Sequence, residues 1–468
     1  MRPGRRRRRA AMFLTAALAI GSAACGSSGG TNNVGSTGGA GGSSTGGTTA
    51  TGGTPGTGGA IGVGGSGGPA TGGGAGRSSA GGAGGNGAGG AGIAGGGGSS
   101  GSAGKAGSAG SSGGAAGGAS GSLTPAEAAK LMSPGWNLGN SFDGAPTETS
   151  YGNPAPTQTL INAVHSAGFK TLRLPVTWTN HIGAGPAYTI DSAWMAKVKQ
   201  TAQWAIDAGM YVFVNTHHEA DGSGGWVTFP ATTSAAQAVA TEVTAVWTQI
   251  ATAFKSFNSR LMLECFNEPN EGGGGNTPQA QTDLNMYLEA CFKAIRATGG
   301  ANATRIVMIQ PVGASPIQAG IQSMQKVSFI DDPNLVISLH TYYPTNFGLS
   351  TTPYAWGSAS DYTAMQSSIA QQIRVWLPTQ VIFIGEWGSM AAQSTANRAA
   401  HALAYSQDTT TAGLVPIWWD NGGSGSSSFG IFDRNSGAQS QPTIVSGIMT
   451  GVKNGLTAPN NWATPANP

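Results

Sequence analysis

The chain has 468 residues, 9% of them charged, and a formal net charge of +3. That sign misleads about partners: of the 23 basic residues eight precede residue 123 and no acidic residue does, so 15 face 20 acidic ones in the remainder, a formal charge of −5. With no Lys/Arg-rich face left, a nucleic-acid partner is excluded, and the lopsided composition argues against an even division into domains.

Residues 1–25 have the layout of an export signal. Five arginines at 5–9 precede an apolar stretch at 10–20, too short to span a bilayer, and Ser22, Ala23 and Ala24 supply the small residues of a cleavage site. Two outcomes stay open for Cys25. It is incidental in an ordinary cleaved peptide, or it becomes the acylated first residue of a bacterial lipoprotein and attaches the chain to a membrane. Ser22 stands where lipoprotein signals usually place leucine. Either way the protein is expected outside the cytoplasm, secreted or anchored at a bacterial cell surface.

Residues 26–121 are Gly, Ser, Ala and Thr with almost nothing to bury. Such a segment cannot offset its ordering entropy and is expected to be disordered. As a flexible coil it would span roughly 50–60 Å, enough to hold a domain away from a surface.

From residue 122 to 468 the texture changes, and all 12 tryptophans lie here. Short apolar runs occur at 135–138, 170–174, 211–215, 261–266, 305–309, 335–339, 381–384 and 414–418. Stretches of helical spacing fall between them, among them 157–167, 192–208, 235–257, 279–298, 362–376 and 395–410. Continuous apolar runs indicate strands buried on both faces. Eight of them alternating with helices predict an α/β fold, a (β/α)8 TIM barrel. An open doubly wound sheet would want a glycine-rich phosphate loop after the first strand, and Asn137-Leu138-Gly139-Asn140-Ser141 is not one.

Polar and aromatic residues gather where each strand should end, on the rim where barrel active sites lie. Asn137 follows the first run and Arg173 closes the second, with Trp178 soon after. His217, His218 and Glu219 follow the third, and Asn267-Glu268-Pro269 the fourth. His340 and Tyr342 end the sixth, Glu386-Trp387 the seventh, and Trp418-Trp419-Asp420-Asn421 the eighth. Any one of these is explicable as a satisfied polar group at a strand end. Their convergence on one rim is not.

Strands four and seven face each other across a ring of eight, so Glu268 and Glu386 are expected about 5–5.5 Å apart, the separation of a retaining glycosidase. Glu268 is then the general acid and later base, Glu386 the nucleophile. Arg173 would hold Glu386 ionised, and Tyr342 would donate to the same carboxylate. Asn267 would hold the sugar 2-OH, and Trp419 offers a flat face for a pyranose ring. No metal or cofactor is expected: His217 and His218 are adjacent and no CxxC occurs. Cys265 and Cys291 leave a disulfide open, but each fits its surroundings as a small buried hydrophobe, and that reading is favoured.

Six stretches carry a more specific resemblance: Gly135-Trp136-Asn137-Leu138-Gly139-Asn140, Thr171-Leu172-Arg173-Leu174-Pro175-Val176, Asn215-Thr216-His217-His218-Glu219, Phe266-Asn267-Glu268-Pro269, His340-Thr341-Tyr342-Tyr343-Pro344 and Gly385-Glu386-Trp387-Gly388. In order and spacing they resemble glycoside hydrolase family 5, the large cellulase family of clan A, over residues 123–455. The resemblance implies a β-glucan substrate and a site of Arg173, His217, Asn267, Glu268, His340, Tyr342, Glu386 and Trp419, with Glu268 as acid/base and Glu386 as nucleophile. It favours His217 over His218 and Trp419 over Trp418. It looks most like the endoglucanase-rich branch, with xyloglucanase, lichenase or β-mannanase activity as alternatives; apart from the resemblance, a monomer is expected. A catalytically dead glycan-binding surface protein should have lost Glu268 or Glu386, and both are present.

Other residues carry blander readings. Glu264 is expected to be a buried carboxylate beneath the site. Glu219 and Trp226 line a subsite or pack a loop. Glu271 and Gly272–Gly275 suggest a mobile loop. Trp136, Trp178 and Trp356 extend the cleft or pack beneath loops, and His165 and His401 are expected at the surface.

Overall fold

The computed structural model describes residues 123–220, 225–230, 232–270 and 275–459. The expectations for residues 1–121, Cys25 included, lie outside the described residues, as do Glu271 and Gly272 to Gly274. Strands β1 (Gly135–Asn137), β2 (Thr171–Leu174), β3 (Tyr211–Asn215), β4 (Leu261–Glu264), β5 (Val307–Ile309), β6 (Leu335–His340), β7 (Val381–Trp387) and β8 (Leu414–Trp418) close in chain order into an all-parallel barrel. The seam pairs Gly135 with Ile417 and Trp136 with Trp418. Gly135 has no room for a side chain there: a Cβ would stand 2.1 Å from Ile417 Cδ1.

Helices form the outer layer because their apolar positions recur every three or four residues. Helix α1 (Pro125–Met132) precedes the barrel, with α2 (Gln158–Ser166), α3 (Ser192–Asp207), α4 (Thr233–Phe254) and α5 (Pro278–Ala297) following in turn. In α4, Ala236, Ala240, Val243, Trp247, Ile250 and Phe254 make one buried stripe. Thr157, Asp191 and Thr277 cap the starts of α2, α3 and α5 by accepting from free helix N–H groups.

The sequence reading assigned no helix before the first strand, but α1 starts on a capping box of Thr124 and Glu127 with Pro125 in its first turn. Its Ala128 and Met132 pack against Phe213, Met262, Met308, Val336, Phe383, Val415 and Ile417, the apolar residues that fill the barrel interior. Helix α1 therefore floors the barrel, and the open end is the opposite rim.

Two expectations are corrected. Cys265 and Cys291 are joined by a disulfide, S–S 2.10 Å. The loop leaving β4 and the middle of α5 bring their Cα atoms to 6.1 Å, a tertiary closeness that neither local pattern reveals. His401 is not at the surface but fully buried. It lies in α6 (Thr395–Thr411), which is sandwiched between the barrel and α7 (Pro442–Thr457), so its polar face is covered too. Phe347, Trp356, Trp387 and Tyr405 surround its ring, and its Nε2 lies 2.9 Å from the Tyr343 carbonyl oxygen. Burial lowers its pKa to about 4, which keeps it neutral. His165 is exposed, as expected.

Candidate active site

Side chains on a strand alternate between faces, so the residue two beyond each apolar filler also points inward. Beyond Phe213, Met262, Met308 and Val336 stand Asn215, Glu264, Gln310 and Ser338, and beyond Ser338 stands His340. The interior thus changes from apolar to polar within one step toward the open rim. All five of these polar side chains are buried.

Arg173 of β2 organises this layer. Its Nε donates to Glu264 Oε2 at 2.9 Å, Nη1 to Glu386 Oε1 at 2.5 Å and to Asn137 Oδ1 at 3.1 Å, and Nη2 to Asn267 Oδ1 at 2.7 Å. Asn137 in turn donates to the carbonyls of Gly385 (2.9 Å) and Trp418 (3.2 Å). It holds Arg173 of β2 and ties β1 to β7 and β8, and its amide is spent on them. Because Asn267 accepts from Arg173, its NH2 is turned away from the guanidinium. Burial alone would lower the Arg173 pKa, but Glu264 and Glu386 outweigh it and push the pKa up.

Glu386 reaches the site through an irregularity. Leu339 pairs with Ile384, but the next residue, His340, pairs with Glu386, so Gly385 is an extra residue in β7. Phe383 faces inward, and regular alternation would send Glu386 outward. The bulge turns it in. Only glycine fits at the bulge, since a Cβ would stand 2.6 Å from Ser338 Oγ and 2.9 Å from His340 Nε2. Trp387 points outward, stacked on Tyr405 with centroids 4.2 Å apart.

Glu268 leaves the end of β4 three residues after Cys265. Its Oε1 lies 2.6 Å from His340 Nδ1, and Tyr342 Oη donates to Glu386 Oε2 at 2.8 Å. An oxygen of Glu268, an oxygen of Glu386 and a ring nitrogen of His340 all lie within 4.8 Å of one another. The two carboxyls differ in surroundings: the Glu268 side chain is 17% exposed, that of Glu386 only 7%. Burial drives the His340 pKa down to about 4, against the pull of Glu386, so its imidazole is neutral near pH 7. Burial, then Glu386 and Glu268, push the Tyr342 pKa well up, so its hydroxyl keeps its proton.

On the other side of the opening, Trp419 is half-buried while Trp418 is fully buried and donates to the Phe429 carbonyl. The Trp419 ring runs parallel to His217, centroids 5.9 Å apart and planes at 5°. Asn215 Nδ2 lies 3.2 Å from His217 Nδ1, an arrangement in which Nδ1 accepts and Nε2 carries the proton. Burial, reinforced by His218 and Arg173, holds the His217 pKa well below its usual value. Asp143, His217 and His218 offer three atoms within 4.8 Å, a grouping that sequence spacing did not show. With Nε2 protonated, His217 is set to donate a hydrogen bond.

Trp136, Trp178 and Trp356 are 0%, 0% and 6% exposed, so they pack beneath the loops. Glu219 is also an anchor: its Oε1 accepts from the backbone N–H groups of Trp178 and Thr179. Asp420 is a further support, accepting from Trp136 Nε1, Ile431 N, Phe432 N and Arg434 directly behind Trp419. The supporting roles of Asn215 and Ser338 went unremarked in the sequence. Counting back two residues from His217 and from His340 would have found both.

This geometry can be set beside known proteins. Residues 137–425 match the family described as Cellulase (glycosyl hydrolase family 5). The chain is 35% identical over 342 residues to Endoglucanase B of Clostridium cellulovorans, covering 70% of this chain and 76% of that one. The solved structure of ZgEngAGH5_4 in complex with a cellotriose aligns with a TM-score of 0.65 at 37% identity, over 70% of this chain and 98% of that one. A GH5-4 broad specificity endoglucanase from Clostridium acetobutylicum gives a TM-score of 0.65 at 34% identity, over 70% and 99%. The match spans the strands that carry Arg173, Glu268 and Glu386, and on that evidence the chain belongs to the cellulases of glycosyl hydrolase family 5.

Proposed function

We propose that this enzyme hydrolyses internal β-1,4-glucosidic bonds of soluble or amorphous glucan by double displacement, with Glu386 as nucleophile and Glu268 as acid and then base. The carrying observation is the approach of their carboxyl oxygens to within 4.8 Å. Retaining pairs sit about 5–5.5 Å apart, while inverting pairs need roughly 6.5–9.5 Å to admit a water.

The surroundings divide the roles. Glu386, paired with Arg173 and receiving the Tyr342 hydroxyl, is held as the anion that attacks the anomeric carbon. Glu268, more exposed and touching a neutral imidazole, gives its proton to the departing glycosidic oxygen. The glycosyl–Glu386 ester is then opened by water, whose proton returns to Glu268. Asn267, oriented by Arg173, presents its NH2 to the sugar 2-OH, and Trp419 carries a pyranose ring on its face.

On a soluble β-glucan, Glu268→Gln should lower turnover about 10²–10⁴-fold and Glu386→Gln at least as much, with folding intact. Near-normal rates in either would break the assignment. The kinship with a broad specificity endoglucanase supports activity beyond cellulose, and rates on xyloglucan, lichenan, xylan and mannan would rank these substrates.

We propose further that the protein is exported and works as a monomer. The arginine-led N-terminus supports export, as does the Cys265–Cys291 disulfide, a bond that persists in oxidising compartments. Acylation at Cys25 would tether the barrel through the Gly-rich segment. Labelled palmitate incorporation that vanishes in Cys25→Ala supports the anchor, and absence of label in the parent protein refutes it.

A further inference from the structure

The double displacement described above leaves one buried ion pair unexplained. Glu264 of β4 is fully buried beneath both acids and shares Arg173 with Glu386: Nε goes to Glu264 at 2.9 Å and Nη1 to Glu386 at 2.5 Å. We propose that Glu264 is a positioning residue that divides the charge of Arg173 with the nucleophile, and so sets the pH window in which Glu386 is ionised while Glu268 is still protonated. The inference rests on that reading of the two acids.

Three hydrogen bonds meet Glu264. Oε2 receives Arg173 Nε and Asn215 Nδ2, each at 2.9 Å, and Oε1 receives Ser338 Oγ at 2.7 Å. Arg173 and Asn215 can only donate through these nitrogens, so Oε2 is held as an acceptor by both, while the Ser338 hydroxyl can serve either role at Oε1. The groups around Glu264 come from every neighbouring strand. Strand β2 gives Arg173 and β3 gives Asn215. From β5, Met308 lies opposite it in register and the uncharged Gln310 follows. Strand β6 gives Ser338 and the neutral His340, and β7 gives Glu386. Arg173 is thus the cation that the buried carboxylates share, and two of them draw on its single charge.

The consequence follows from elementary electrostatics. With Glu386 alone, the whole guanidinium charge would stabilise the nucleophile as an anion and make it a weak base. A second negative charge below the floor of the site offsets part of that stabilisation and disfavours ionisation of both acids above it. The charge of Glu264 reaches two strands away, where it works against burial on the His340 ring.

A merely structural ion pair and a charge-dividing one behave differently when only the charge is removed. Glu264→Gln fits the same contacts: its amide oxygen accepts from Arg173 and Asn215, and its NH2 donates to the Ser338 hydroxyl. The profile of kcat/KM against pH on a soluble β-glucan is then the readout. Both limbs of the bell should move to lower pH, by about half to one unit. A variant that is slower with both limbs unmoved would mean a scaffold role and would overturn the proposal.

Removing one partner of a buried pair can prevent folding, so Ser338→Ala supplies the second arm. It strips a hydroxyl dipole from Oε1 and keeps the charge, which strengthens the negative field, and the acidic limb should rise. An unmoved acidic limb there counts against the proposal even if Glu264→Gln does not fold. Glu268→Gln and Glu386→Gln under the same assay separate the two levels of argument. If they retain activity, the double-displacement reading fails. If they are inactive and the Glu264→Gln limbs coincide with those of the parent, only the role of Glu264 fails.

Discussion

Glu219 links two rim loops through a single oxygen. Its Oε1 takes the N–H groups that open the segment after β2, while Oε2 is buried without a hydrogen-bond partner among the described residues. Burial raises its pKa from 4.5 to about 7 against these N–H groups. The folded protein therefore holds a proton on Glu219 between pH 4.5 and 7 that the unfolded chain has released. The associated stability is fully present below about pH 4.5 and is lost as pH rises through 7, about 3 kcal/mol over that window. The melting temperature should fall between pH 5 and pH 8, and Glu219→Gln, which keeps an acceptor for both N–H groups, should flatten that fall. An unchanged pH dependence in the variant would show that Glu219 does not carry it.

Among the elements, those with a local cause were legible and those with a tertiary cause were not. Strands β3 and β8 begin and end where their apolar runs do, because a buried parallel strand writes itself as a continuous run. Rim residues were legible for the same reason, as polar groups following apolar runs. Strand β7 was expected to stop at Ile384 but extends to Trp387 through the bulge at Gly385, set by the close approach of Ser338 and His340 from the next strand. No pattern within one strand records that neighbour. The stretch expected as one helix over 362–376 is interrupted by a π-helical turn at Gln366–Gln371, for which nothing local to the sequence gives a cause. Helix α1 has a legible capping box, but its eight residues show their purpose only against the barrel floor. His401 was misplaced because a helix covered on both sides hides the polar face that exposure would predict.

For the molecule as a whole, the disulfide is the covalent link between the inner barrel and the outer helices. Cys265 follows β4 and Cys291 lies in α5, 26 residues on, so the closed loop contains Glu268. Closing a loop of that length restricts the unfolded chain and stabilises the fold by about 3–4 kcal/mol. Spread over the unfolding entropy of a domain this size, that is about 4–6 °C in melting temperature. The double variant Cys265→Ala/Cys291→Ala should melt lower by that amount, with a small further loss from the two missing sulfurs. Reductant separates a bond from mere packing. If the two sulfurs only filled space, the parent protein would melt at the same temperature with and without a strong thiol reductant. If they are bonded, prolonged reduction should bring the parent down toward the double variant, and the variant itself should not respond. Since Glu268 leaves β4 only three residues past the bonded sulfur, loss of activity on reduction should accompany loss of stability and not precede it, because the hydrogen bonds at the site hold as long as the barrel does. Inactivation well below the melting transition would instead mean that the bond holds the Glu268 loop locally.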